Sequence, residues 1–168
     1  MTANPPAGVA GIRVKTARDI ESTGDITASD RYLIDSSDSG GVIAVVEHLL
    51  APRTLAAPIH RHSREDEYSL VLAGRLGVFE QGDEIVSVPG ELVFKPRGRW
   101  HTFWNAGDEP LRVLELIAPG EIEQLFRQLA EPGGEYDPAT LPALAAEYGC
   151  DVDFEATMLL VQRHGLVF

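Results

Sequence analysis

Residues 58–68 read PIHRHSREDEY and place two histidines and three carboxylates within eleven positions. Because side chains two apart on an extended chain point to the same side, His60 and His62 are expected to share one face of a strand. Imidazole nitrogens and carboxylate oxygens are donors that bind a divalent transition metal. The stretch therefore predicts half of a metal site, with a carboxylate supplied by the acidic residues that follow.

A second stretch, residues 89–105, reads PGELVFKPRGRWHTFWN and supplies a third histidine in another predicted strand. The spacing across both stretches is His60-x-His62, four residues, Glu67, six residues, Gly74, fifteen residues, Gly90, five residues, Pro96-x-Gly98, two residues, His101, three residues, Asn105. This pattern resembles the two signature motifs of the cupin superfamily. The short spacing between the motifs is similar to that of small, single-domain bacterial cupins of the quercetin-dioxygenase-like type.

The resemblance implies a role for the motif residues. It implies that Asn105 ties a strand end to a loop, and it implies four metal ligands: His60, His62, Glu67 and His101. Asp66 is an alternative carboxylate, because the family tolerates a spacing shorter by one residue. Glu67 is preferred, since it also keeps the six-residue step to Gly74, and it is the predicted catalytic residue, a general base that shifts off the metal. The cofactor is then one divalent ion of Fe, Ni, Co, Mn, Cu or Zn.

Short apolar runs fill residues 12–118 at intervals of roughly ten, with Gly, Pro and Asp turns between them. Evenly spaced runs predict an all-β sandwich or barrel, and the resemblance makes it the double-stranded β-helix, a jelly-roll barrel. After Pro119, apolar residues recur at helical spacing, which predicts about three short helices. The expected organisation is a flexible leader at residues 1–10, a barrel at 11–118, and a helical extension at 119–168 that packs on the barrel.

Composition limits the partners. The formal net charge is −12 over 168 residues, and an acidic chain lacks the basic face that nucleic acids and anionic membranes require. We therefore expect a small-molecule substrate, no nucleic acid and no membrane. The single cysteine, Cys150, cannot form an intramolecular disulfide, and the N-terminal stretch does not resemble a secretion signal, so a cytoplasmic location is expected. The resemblance implies a homodimer.

Strand alternation predicts which side chains surround the metal. Phe103 shares its side with His101, and Ser69 and Val71 share theirs with Glu67. For His48 two interpretations stay open, a cavity position or an ordinary strand position. The predicted substrate pocket contains His48, Ser69, Val71, Phe94 and Phe103.

Basic residues flank both motifs and allow two interpretations. A cluster of cations in so acidic a chain favours an anionic or aromatic substrate at the barrel mouth. Solvated loop charges that offset neighbouring acids explain the same pattern equally well. The residues concerned are Arg61, Arg64, Lys95, Arg97 and Arg99.

Four protein ligands leave two positions open on a six-coordinate metal, whereas a structural site is closed. The first hypothesis is a metal-dependent dioxygenase that cleaves or oxidises an enolic or phenolic small molecule, such as a flavonol or a diketone. The same ligands suit an isomerase or cyclase that acts on polyketides or sugars. A barrel without chemistry would be a small-molecule-binding protein. Apolar barrel residues favour an aromatic or ketone-like ligand over a sugar.

Overall fold

The computed structural model describes residues 14–131 and 137–168, and these ranges contain eleven β-strands and three α-helices. The strands are β1 (Glu21–Gly24), β2 (Ala28–Ile34), β3 (Ala44–Leu50), β4 (Ile59–His62), β5 (Asp66–Ala73), β6 (Leu76–Glu80), β7 (Asp83–Ser87), β8 (Leu92–Lys95), β9 (His101–Asn105), β10 (Leu111–Ala118) and β11 (Cys150–Asp153). The helices are α1 (Glu123–Ala130), α2 (Leu141–Glu147) and α3 (Phe154–His164). The predicted leader, residues 1–10, lies outside the described residues.

The strands form two antiparallel sheets. One has six strands in the order β1-β2-β3-β10-β5-β8, and the other has five in the order β11-β4-β9-β6-β7. Many neighbouring strands are far apart along the chain, as a jelly roll requires. The all-β jelly-roll fold with three short C-terminal helices, predicted from the sequence, is confirmed.

A core of inward-pointing residues lies inside the barrel. On β10, burial falls on every second residue from Leu111 to Ile117, which is the period of a strand with one face inward. Asn105 closes one end of this core, since its Nδ2 donates to O of Leu50 at 3.1 Å and to O of Glu109 at 2.8 Å. That is the structural role that the resemblance implies. The members of the core are Leu50, Val71, Leu76, Val78, Val93, Phe103, Leu111 and Val113.

Helix α3 creates a second core on the outside of the five-stranded sheet. Alternation directs Trp104 out of the barrel, yet it is 2% exposed because it packs with Leu160 of α3 and with Leu166. The indole also lies over Gly77, where a Cβ atom would come within 2.2 Å of the ring. A side chain at that position would therefore displace the tryptophan.

Helices α1 and α2 pack on the six-stranded sheet and form a third core. Ile122 and Leu125 at α1, and Leu141 at α2, are buried with Tyr32 and Val46 of the sheet. Within the described ranges, no helix combines the length and the apolar character needed to cross a membrane.

The C-terminal extension also contributes a strand that the sequence did not predict. β11 pairs with β4, so that Cys150 lies opposite His62 and Val152 lies opposite His60. Four residues between two helices are too few to display an alternating pattern. The extension thus completes the sheet edge that carries two of the predicted metal ligands.

Candidate metal centre and its cavity

Three strands bring the four predicted ligands together. β4 carries His60 and His62, β5 carries Glu67, and β9 carries His101 opposite His60. The histidines come from the five-stranded sheet and the glutamate from the six-stranded sheet. One donor atom of each residue lies within 4.8 Å of every other. The cluster therefore exists only because the two sheets face each other.

Backbone carbonyls orient two of the three imidazoles. Nδ1 of His60 lies 2.7 Å from O of Pro58, and Nδ1 of His101 lies 3.0 Å from O of Arg99. Because a carbonyl oxygen only accepts, each Nδ1 carries a proton and each Nε2 of a neutral ring keeps its lone pair. This arrangement leaves Nε2 as the metal-binding nitrogen of both residues.

The contacts inside the cluster require a cation. Nε2 of His101 lies 3.1 Å from Oε2 of Glu67, and a neutral ring would set two lone pairs against each other there. His62 is 1% exposed, its Nε2 lies 3.2 Å from Oε1 of Glu67, and its Nδ1 lies 3.7 Å from Oε2 of Glu65, beyond hydrogen-bonding distance. A divalent metal ion would satisfy these donors together. The residues therefore fit the ion that the sequence predicts.

The surroundings shift the pKa values of His60 and His62 in opposite directions. Burial, followed by the charges of His101 and His62, holds the pKa of His60 well below its ordinary value, so this imidazole is neutral. Burial also lowers the pKa of His62, but the charge on Glu67 outweighs it and raises the pKa to about 10. A metal ion that binds His62 must displace this proton.

Lys95 lies directly behind Glu67 and is 1% exposed. Its Nζ lies 2.8 Å from Oε2 of Glu67 and 3.0 Å from Oε1 of Glu115, and Ser69 donates a hydrogen bond to Glu115 Oε2 at 2.8 Å. Burial raises the pKa of Glu67, but Lys95 and then His62 outweigh burial and hold it well below its ordinary value. Glu67 is therefore an anion, which is the form that binds a metal.

The sequence places Lys95 among the basic residues at the barrel mouth, but in the structure it lies inside the barrel. β8 places Val93 and Lys95 on the inner side, and Lys95 is the cross-strand partner of Glu67. Since side chains alternate along a strand, Lys95 must face the same side as Val93, and this parity within residues 92–95 is the sequence signal for its inward position.

Asp66, the alternative carboxylate, points away from the cluster. Arg97 holds it with its backbone N at 2.9 Å and with Nη2 at 2.7 Å. The structure thus favours Glu67 as the fourth donor.

Three of the other four basic residues, Arg61, Arg97 and Arg99, form ion pairs at the surface. Arg61 pairs with Asp151 at 2.5 Å, and Arg99 pairs with Glu80. Together with the pair between Arg97 and Asp66, these contacts support the interpretation that the cations offset neighbouring acids.

A cavity of about 580 Å³ opens onto the ligands His60, His62 and Glu67. Its volume lies in the range of small-molecule sites, roughly 300–1,000 Å³. Apolar side chains supply much of the wall, and helix α1 supplies four of them, Leu125, Phe126, Leu129 and Ala130. The wall includes Leu55, Phe103, Leu125, Phe126 and Leu129.

Two of the five predicted pocket residues, His48 and Phe103, line this cavity. Ser69 and Val71 point inward, as their parity requires, but Val71 belongs to the barrel core and Ser69 is fully buried against Glu115. The placement of Phe94 needs correction. It is 49% exposed and stacks on Tyr68, with ring centroids 4.9 Å apart, because its neighbours Val93 and Lys95 occupy the inner side of β8.

Sequence reasoning missed several residues around the site. Asp30 of β2 and Phe126 of α1 line the cavity, although neither belongs to the motif segments. Glu65 is 2% exposed, with Oε2 3.7 Å from Nδ1 of His62, and burial raises the pKa of its carboxyl group. No local pattern marked Asp30 or Phe126, since they reach the site through sheet pairing and helix packing, whereas Glu65 lies inside the motif stretch, three residues after His62.

Part of the chain matches a known domain family. Residues 46–117 match the family model described as Cupin domain. The tetracenomycin polyketide synthase protein TcmJ of Streptomyces glaucescens is 33% identical over 92 residues, which cover 54% of this chain and 61% of that protein. The match thus spans less than two thirds of the relative's length.

Two solved structures have a similar fold. The polyketide cyclase RemF of Streptomyces resistomycificus superposes with a TM-score of 0.55 at 26% identity, over 65% of this chain and 80% of that chain. A sugar phosphate isomerase of the cupin superfamily from Silicibacter pomeroyi superposes with a TM-score of 0.54 at 25% identity, over 63% of this chain and 75% of that chain.

Proposed function

We propose that this chain, whose residues 46–117 form a cupin domain, is a metal-dependent cyclase that closes a ring in a polyketone-like small molecule. The observation that carries the proposal is the largely apolar cavity of about 580 Å³, whose lining includes His60, His62 and Glu67 of the three-histidine, one-glutamate donor set. Such a cavity suits an unbranched chain of ketones that must fold before its ends react.

The donor set supports the chemical part of the proposal. A divalent ion held by His60, His62, Glu67 and His101 would act as a Lewis acid toward a carbonyl oxygen. The protein's own contribution is positional: Lys95 fixes the carboxylate of Glu67 at 2.8 Å, and the walls from β9 and α1 exclude water from the substrate.

The apolar part of the lining favours this proposal over sugar isomerisation. A sugar requires many hydroxyl, amide and charged partners, because each buried hydroxyl group needs a hydrogen bond. Phe103, Leu125 and Phe126 in the wall offer none. The similarity to RemF and to a polyketide synthase protein also supports a polyketone substrate.

The dioxygenase that the sequence favours stays a prediction. It uses the same four donors, but it also consumes one molecule of dioxygen per substrate, whereas ring closure consumes none. Oxygen uptake therefore separates the two reactions directly.

The test begins with metal-free protein reloaded separately with Fe, Ni, Co, Mn, Cu or Zn. Each form is given the linear triketo acid 3,5,7-trioxooctanoate, and formation of the dihydroxymethylbenzoate is followed by chromatography while an electrode records oxygen. Acceleration above the same metal ion in buffer, without oxygen uptake, supports the cyclase. Oxygen uptake with substrate loss supports the dioxygenase, and tight binding without either reaction supports a binding protein.

Two variants sharpen this test. Glu67→Gln keeps the shape of the donor but removes its charge, so we expect much of the metal to remain and turnover to disappear. Asp66→Asn is the matched control, since Asp66 faces Arg97 outside the cluster, and it should retain both metal and activity. Equal turnover by Glu67→Gln and Asp66→Asn would show that the charge of Glu67 is not needed for the reaction.

A further inference from the structure

A histidine and an aspartate outside the metal cluster form a hydrogen-bonded pair in the wall of the cavity. His48 on β3 and Asp30 on β2 are directly opposite each other in the antiparallel ladder, and Nδ1 of His48 lies 2.7 Å from Oδ1 of Asp30. Both residues line the cavity that contains His60, His62 and Glu67. The pair is therefore separate from the ligand set but faces the same volume.

The pairing fixes which ring nitrogen faces the cavity. Because the carboxylate of Asp30 accepts the Nδ1 proton, Nε2 carries the lone pair of the neutral ring. In the described part of the chain, Nε2 forms no hydrogen bond, and it is not one of the atoms sealed inside the core. A basic nitrogen thus remains accessible inside a largely apolar pocket.

Aromatic rings hold the imidazole on two sides. The ring of His48 lies 5.4 Å from that of Phe103 and 6.1 Å from that of Phe126. These contacts come from β9 and from α1, so the ring is fixed by the barrel and by the C-terminal extension together. A side chain held in one rotamer by packing is preorganised for proton transfer.

We propose that His48 is the catalytic acid–base residue of this cavity and that Asp30 is its positioning residue. The inference rests on the proposed function, ring closure of a polyketone. It assigns the proton transfers of that reaction to His48 and leaves Glu67, the general base that the sequence predicts, with the role of a metal ligand.

The proton balance of the reaction closes on His48. Nε2 takes a proton from the CH2 group between the carboxylate and the nearest ketone, and the electron pair of the C–H bond moves onto the adjacent ketone as an enolate. The enolate carbon forms a C–C bond to a distant carbonyl carbon, whose π electrons move to its oxygen. His48 returns the proton to that oxygen, which yields the aldol product, and the later loss of water makes the ring aromatic. The neutral imidazole is regenerated, and no oxidant is needed.

The charges that face His48 suit both transfers. Burial lowers the pKa of His48, but Asp30 outweighs burial and, with a smaller contribution from Glu115 of β10, raises the pKa above its ordinary value, while Lys95 of β8 opposes this increase. The neighbours from β9 and α1 are the uncharged rings of Phe103 and Phe126. A histidine with a moderately raised pKa is a competent acid and base near neutral pH.

The experiment compares zinc-loaded wild type, His48→Gln, Asp30→Asn and His164→Gln with 3,5,7-trioxooctanoate. His164 is the matched control, because it forms a similar pair with Glu84 at 2.8 Å on the outside of the protein. We expect His48→Gln to retain its zinc and its melting temperature and to lose kcat by roughly 100-fold to 10,000-fold. His164→Gln should match wild type.

The pH dependence of kcat/KM in Asp30→Asn distinguishes a positioning role of Asp30 from a purely structural one, which would leave the pH profile unchanged. Removing the negative charge lowers the pKa of His48, so the acid limb of the kcat/KM profile should move to lower pH. A zinc-loaded His48→Gln variant with wild-type kcat, or an unmoved pH limb in Asp30→Asn, would overturn the assignment while ring closure by the wild type stands. A wild type that does not accelerate ring closure would instead overturn the proposed function and, with it, this inference.

Discussion

Two neighbouring carboxylates, Asp66 and Glu67, form ion pairs on opposite faces of the same strand. Glu67 meets Lys95 inside the barrel at 2.8 Å, with side chains that are 4% and 1% exposed. Asp66 meets Arg97 outside at 2.7 Å, with side chains that are 22% and 52% exposed. The strand pleat alone separates the pairs, because successive side chains point to opposite faces.

The comparison teaches that the surroundings, rather than the charges, decide what an ion pair does. Outside, water solvates either partner when the other is lost. Inside, the loss of one partner leaves a charge in a medium of low polarity. The inner pair therefore ties the stability of the barrel to the geometry of the metal donors, whereas the outer pair is nearly independent of both.

The largest expected effect is the loss of bound metal when a histidine inside the barrel is replaced. His62→Ala or His101→Ala should abolish stoichiometric metal, because each removes one of four converging donors. His164→Ala, an outer histidine paired with Glu84, should retain a full equivalent. Metal-to-protein ratios after gel filtration measure this, and a full equivalent in either inner variant would contradict the ligand assignment.

Lys95→Met tests the inner pair as a stabilising element. It leaves Glu67 and Glu115 buried without their cation, and we expect the free energy of unfolding of the metal-free protein to fall by about 3–5 kcal/mol. Urea denaturation measures the change. The matched outer variant, Arg97→Met, should change the unfolding free energy far less, and similar losses in both variants would remove the distinction between the two faces.

Ser69→Ala tests the hydrogen bond that holds Glu115, the second carboxylate partner of Lys95. Ser69 Oγ donates to Glu115 Oε2 at 2.8 Å in a fully buried position, so its removal should lower the free energy of unfolding by roughly 1.5–3 kcal/mol. Ser63 offers the outer control, since its exposed Oγ donates to O of Gly149, also at 2.8 Å. Denaturation curves for Ser63→Ala should overlay those of the wild type.

The smallest effect is expected for the outer pair itself, and it depends on pH. Hydrogen bonds from the Arg97 side chain and backbone lower the pKa of Asp66, so the pair stabilises the fold above the unfolded carboxyl pKa of about 3.9. This contribution is lost as the pH falls through the lower folded value. The melting temperatures of wild type and Asp66→Asn should therefore differ slightly at pH 7 and converge in strong acid. A difference in melting temperature that persists in strong acid, or that added salt does not reduce, would contradict a stabilising ion pair between Asp66 and Arg97.

The choice between Asp66 and Glu67 shows where sequence reasoning ends. The motif spacing favours Glu67 and leaves Asp66 open, and alternation alone does not say which face of β5 is inside. Pairing of Glu67 with Lys95 on β8, and of Ile117 with Glu67 from β10, places one carboxylate in the barrel and the other in solvent. The outward position of Phe94 has the same origin, since the pairing of β8 with β5 places Val93 and Lys95 inside the barrel and Phe94 outside it.

The sequence by itself predicted an all-β barrel and about three C-terminal helices, and the family resemblance of its motifs implied the jelly-roll topology and the four candidate metal donors. These follow from local periodicity and from residue types at fixed spacing. Only the tertiary structure decided that Lys95 lies behind Glu67, that β11 borders β4, that α1 walls the cavity, and that Asp30 holds His48. The physical reason is that each of these contacts joins strands or helices whose partners are chosen by sheet order and packing, which no local pattern encodes.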